Sequence, residues 1–84
     1  MRLAKFVKFR EEKFGGVLFE TKSEKVFTLS TSAAAIVREI NLGGDEAAIT
    51  ARLKDQFDAR DGEAIEREVK TFVADLRQRG LLEE

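Results

Sequence analysis

The sequence predicts an α+β domain, a three-stranded antiparallel sheet followed by three helices. Three observations carry this. Up to Leu29 the apolar residues follow strand-like runs, and from Ser30 onward they recur every three to four residues. The breaks between the first three runs are short and glycine-rich or polar, which joins neighbours as antiparallel strands. The last third of the chain, Asp61 to Leu82, has the clearest helical signature: Ile65, Val69, Phe72 and Leu76 fall at four-, three- and four-residue steps.

The elements follow in order. Lys5 to Arg10 alternates, with Val7 and Phe9 on one face and Lys8 and Arg10 on the other. Phe14-Gly15-Gly16 is the expected reversal, since glycine tolerates turn dihedrals. Val17 to Glu20 is the second strand, apolar at three consecutive positions as suits a central strand. Thr21 to Glu24 is a polar turn, and Lys25 to Leu29 forms the third strand. Ser30 or Thr31 caps a helix running through Ile40, with Ala33, Ile36, Val37 and Ile40 inward. Asn41-Leu42-Gly43-Gly44 ends it. Asp45 caps a second helix to about Phe57, with Ala48, Ile49, Leu53 and Phe57 inward, and Asp58 to Gly62 connects to the third. That helix spans Glu63 to Arg79, with Asp61 as its cap, Arg77 and Arg79 in the last turn and Gly80 at the C-cap.

With 84 residues the chain reads as one domain, 1–84, and such a domain buries only roughly 60% of its unfolded surface. There is no Cys, His, Pro, Tyr or Trp. Disulfides, thiolate metal sites and the commonest general base and zinc ligand are therefore excluded. Neither a catalytic residue, a metal nor a cofactor is expected. Ser30-Thr31-Ser32 has no general base beside it and reads as capping. The glycines lack the strand–loop–helix setting and Lys of a phosphate loop. With no long apolar run and no cleavable signal, the reading is of a soluble, cytoplasmic protein without a membrane partner.

Fifteen basic and sixteen acidic residues give a net charge of −1, which supplies no field for a polyanion. Residues 1–13 carry a local +3, and residues 45–68 a local −4. Lys8 and Arg10 share a face that either meets a partner or is simply solvated.

A small sheet with three helices, two of them joined by a short turn, is the inventory of a winged helix-turn-helix, here with the sheet placed first. Over Lys5 to Leu82 the chain resembles the PqqD-like proteins, precursor-peptide (RiPP) recognition elements. The similarity lies in Phe9-Arg10-Glu11-Glu12-Lys13-Phe14-Gly15-Gly16-Val17-Leu18-Phe19, in Phe27-Thr28-Leu29-Ser30 with Ala33-Ala34-Ala35-Ile36, and in Glu68-Val69, Phe72-Val73, Leu76 and Gly80-Leu81. The family often has Asn where this chain has Ser30 and Asp where it has Glu68. The resemblance implies a non-catalytic domain that binds a leader peptide by strand addition beside the third strand, in a groove walled by the third helix. It also implies a separate modifying enzyme, such as a radical SAM maturase.

The residues agree with that mechanism on their own terms. Lys25, Val26, Phe27, Thr28 and Leu29 form a last strand without Pro or Gly, whose edge either accepts another strand or stays short and wet. On the third helix, Val73 lies about 80° round from Ile65 at ~100° per residue. It either widens the core stripe or floors a binding ledge between Glu66, Lys70 and Arg77, next to Val69. Two other classes fit the same fold. A DNA-binding winged helix would concentrate cations on its recognition helix, whereas Glu63 to Arg79 balances to zero. An oligomerisation domain would use the open edge for a second copy, so the expected state is a monomer or a strand-exchanged homodimer.

Overall fold

A computed structural model of the chain describes residues 1–56 and 62–83. The elements are β1 (Arg2–Leu3), β2 (Val7–Glu12), β3 (Gly15–Glu20), β4 (Lys25–Leu29), α1 (Thr31–Asn41), α2 (Glu46–Gln56), α3 (Gly62–Gln78) and β5 (Leu82–Glu83). The expected sheet is β2-β3-β4, antiparallel throughout, and the three helices follow it. Phe57 as an inward residue, the connection from Asp58 and the Asp61 cap lie outside the described residues.

The first hairpin differs from expectation by one step. Lys13 and Phe14 make the turn, while Gly15 and Gly16 open β3 and pair with Glu12 and Glu11. These glycines serve close approach rather than reversal. Gly15 has φ +143°, and a Cβ there would collide with the Leu29 carbonyl. A Cβ on Gly16 would come within 2.8 Å of the Phe9 ring and 3.2 Å of Ala34, where α1 presses on the sheet. The pleat then sorts the side chains. Val7, Leu18 and Leu29 are buried beneath α1, whereas Lys8, Phe19 and Val26 line the opposite, open face.

Helix starts follow the capping chemistry. The Ala33 N–H donates to Ser30 Oγ at 3.2 Å, and the Ala48 N–H donates to Asp45 Oδ1 at 2.8 Å. Ile36, Val37 and Ile40 of α1 meet Ile49 and Leu53 of α2 in the core. Ala48, expected inward, is exposed; Thr50 is buried in its stead, its hydroxyl donating to the Glu46 carbonyl. A buried carboxylate joins the two helices, Glu39 receiving Arg52 at 3.2 Å.

The sequence reading contained no β1 or β5. Two residues each are too few to show a period, yet they pair Arg2 with Glu83 and Leu3 with Leu82. A Schellman turn sets this up. Gly80 sits at φ +74°, its N–H donates to the Arg77 carbonyl, and the Leu81 N–H donates to the Leu76 carbonyl at 2.9 Å. Leu81 is thereby folded back into the core, and its carbonyl accepts the Ala4 N–H.

Candidate functional site

Strand order leaves β4 with β3 on one side and no strand on the other among the described residues. The two-residue turn makes Glu12 and Gly15 a hydrogen-bonded pair, so alternation assigns Val17 and Phe19 to β2 and Gly16, Leu18 and Glu20 to β4. Lys25, Phe27 and Leu29 therefore turn their amides inward to β3. Val26 and Thr28 turn theirs to the open edge. The side chains follow the other alternation: Val26 (59% exposed) and Thr28 lie on the open face, while Phe27 and Leu29 point to the helical side.

On that side, α3 runs past the edge and leaves a cavity of about 210 Å³. Phe27 and Leu29 line its strand wall, and Phe72, Asp75 and Arg79 its helix wall. Buried Leu18, Leu76 and Leu81 form the floor. At the mouth, the Arg79 guanidinium lies 5.2 Å from the centre of the Phe27 ring and holds Asp75 at 3.0 Å. The site thus joins unpaired main-chain groups to an apolar trough with one cation and one anion at its rim.

This corrects the sequence picture of the helix wall. Val73 and Val69 are both 0% exposed, so Val73 offers no ledge to a visitor. The buried face of α3 centres on Val69, Val73 and Leu76, about 40° round from the stripe Ile65–Val69–Phe72–Leu76 at ~100° per residue. That rotation brings Phe72 to the rim beside β4. It carries Glu66 and Lys70 to the far flank, where Lys54 of α2 approaches Glu66 at 4.0 Å and Lys70 pairs with Glu66 at 3.6 Å. Arg77 is exposed in the last turn and does not line the trough. The structure brings Phe27, Thr28 and Leu29 together with Phe72, Asp75 and Arg79, leaves Lys25 and Val26 outside the trough, and separates it from Glu66 and Lys70. Those three helix residues were legible as a set: once Val73 counts as core, they fall on the opposite flank of the helix.

The Ser32 hydroxyl donates to Glu68 Oε1 at 2.5 Å, tying the start of α1 to α3 below the trough. Among the described residues no group of His, Cys, Asp or Glu side chains is placed to hold a metal.

Open edge, apolar trough and charged rim lie together along β4 and α3. The family model of "Coenzyme PQQ synthesis protein D (PqqD)" matches residues 15–82, and the chain belongs to that family. No curated protein matches it. Among solved structures it is similar to TbiB1, determined in complex with the TbiA(beta) leader peptide (20% identity, TM-score 0.86, covering 99% of this chain and 95% of that one). It is also similar to a lasso peptide synthetase B1 complexed with the leader peptide (24% identity, TM-score 0.80, covering 95% and 93%). At these identities the likeness is one of fold.

Proposed function

We propose that this protein binds the leader of a ribosomally synthesised precursor peptide and presents it to a separate modifying enzyme, a radical SAM maturase or an enzyme of related role. The observation that carries the reading is the unpaired β4 edge beside the trough. Val26 and Thr28 each offer an N–H and a C=O to an incoming strand, and each bond made contributes about 1 kcal/mol net without regard to sequence. Selection comes from the trough: burying one large apolar side chain there contributes ~1.5–3 kcal/mol, while a rim charge pair adds ~0–1. Main chain sets the pose and the apolar anchor sets the affinity. Both structural neighbours carry a leader peptide, which supports the same role here.

The protein acts by binding alone in this reading, and needs no cofactor. No helix among the described residues is long and apolar enough to cross a membrane. A peptide made on ribosomes meets its modifying enzyme before export, which supports a cytoplasmic location in this reading. DNA is a poor ligand for α3, whose acids Glu63, Glu66, Glu68 and Asp75 offset Arg67, Lys70 and Arg77.

An amide-resolved NMR titration tests this, with peptides selected from a random phage-displayed library as one arm and duplex DNA as the other. The expected result is perturbation along residues 25–29 and around Phe72, Asp75 and Arg79, with no response to DNA. Peptide shifts confined elsewhere, or a DNA response at α3, would overturn it. Concentration-dependent shifts of the β4 amides without ligand would assign the edge to a second copy.

A further inference from the structure

A second cavity, of about 190 Å³, lies farther along α3 from the trough. Ile36, Leu53 and Val69 form its buried floor, Ile65 is half-buried at its side, and Ser32 and Glu68 stand at its mouth. The two cavities follow one line. β4 and the start of α1 run antiparallel to α3, since Phe27 lies against Arg79 and Ser32 bonds to Glu68. The spans are comparable: Phe27 to Ser30 covers ~10 Å extended and the first residues of α1 add ~3 Å, against ~16 Å from Arg79 back to Glu68 along the helix. A strand added to β4 and continued in the direction of Ser32 leaves the first cavity and arrives at the second.

We propose that this second cavity is a subsite for the same peptide, which carries two large apolar residues about four positions apart with a basic residue between them. This rests on the peptide reading above. The spacing follows from the helix. The α3 residues lining the first cavity (Phe72, Asp75, Leu76, Arg79) and those lining the second (Ile65, Glu68, Val69) are centred ~12 Å apart along the axis. An extended chain covers ~12 Å in three to four residues, and only an even step returns a side chain to the same face. Four satisfies both conditions. The basic residue follows from charge. Glu68 is exposed at the mouth of the second cavity, on the path from the first, where it accepts the Ser32 hydroxyl and has no ion-pair partner among the described residues. With the Asp75–Arg79 pair neutral as a unit, the residues lining the two cavities carry one unbalanced negative charge, that of Glu68.

Sequencing the phage pool selected on the intact protein tests the spacing. The pool should be enriched in apolar pairs about four residues apart with Lys or Arg between, and a selected peptide should bind roughly ten- to a hundredfold more weakly when Ser replaces its second anchor. That exchange should also abolish the shifts of the Ile36 and Ile65 amides while those of Val26 and Thr28 persist. Selection on Glu68→Gln, which keeps an acceptor for Ser32, should retain both anchors and lose the basic preference. A pool with other spacings, or less than about a threefold loss on exchanging the second anchor, would overturn the second subsite while the β4 shifts stand. A basic preference that survives Glu68→Gln would overturn the role of Glu68. Absence of β4 shifts altogether would instead defeat strand addition itself.

Discussion

Val73→Asp should leave the protein largely unfolded at 25 °C, visible as loss of the cooperative thermal transition by far-ultraviolet circular dichroism. Val73 is 0% exposed and packs in one cluster with Val69, Leu76 and the strands beneath α1. A carboxylate placed there either ionises without solvent or stays protonated with its hydrogen bonds unmade, and it forfeits the packing of the valine besides. The combined cost is roughly 4 kcal/mol or more, comparable to the whole stability of a domain this small. Lys70→Ala, three residues away on the solvated flank, should change stability by less than about 1 kcal/mol. Had Val73 been a surface ledge, the two variants would melt alike and differ only in ligand binding. A native-like transition for Val73→Asp would mean the helix is turned differently from the structure.

Thr28→Pro should abolish peptide binding while the fold persists. Alternation directs the Thr28 amide away from β3, so its removal breaks no bond of the native sheet. The proline takes a donor from the open edge, and its ring also occupies the space through which an added strand approaches. Affinity for a library-selected peptide should fall at least roughly tenfold. The melting transition should move only slightly, because edge positions are where a sheet accepts proline. Unchanged affinity would show that the peptide does not pair at Thr28.

Much of the fold was legible because each element carried its own period. The boundaries of β4 follow from a polar turn before it and a capping serine after it, and the structure gives them as expected. The glycine pair misled because glycine serves two ends. It permits reversal, but at 15 and 16 it clears space for Leu29, Phe9 and Ala34, neighbours that only the tertiary structure supplies. The β1–β5 clasp depends on contacts between the two ends of the chain, which no local window holds.

The candidate site was half legible. An edge strand can be read from topology, because a meander must end on one. Which flank of α3 faces that edge depends on where α2 docks. The apolar stripe in the sequence is wide enough to be turned by about 40° without exposing a hydrophobic residue to penalty. Packing of α2 near Lys54 and Glu66 settles the rotation, moving Val73 inward and Phe72 to the rim.

Hydrogen exchange of individual β4 amides tests strand addition most directly. In the free protein the amides of Val26 and Thr28 should exchange rapidly while those of Phe27 and Leu29, bonded to β3, exchange slowly. Saturation with a library-selected peptide should slow Val26 and Thr28 to the rate of their neighbours. If those two amides are already protected in the free monomer, or stay fast when the peptide is bound, no visiting strand uses this margin.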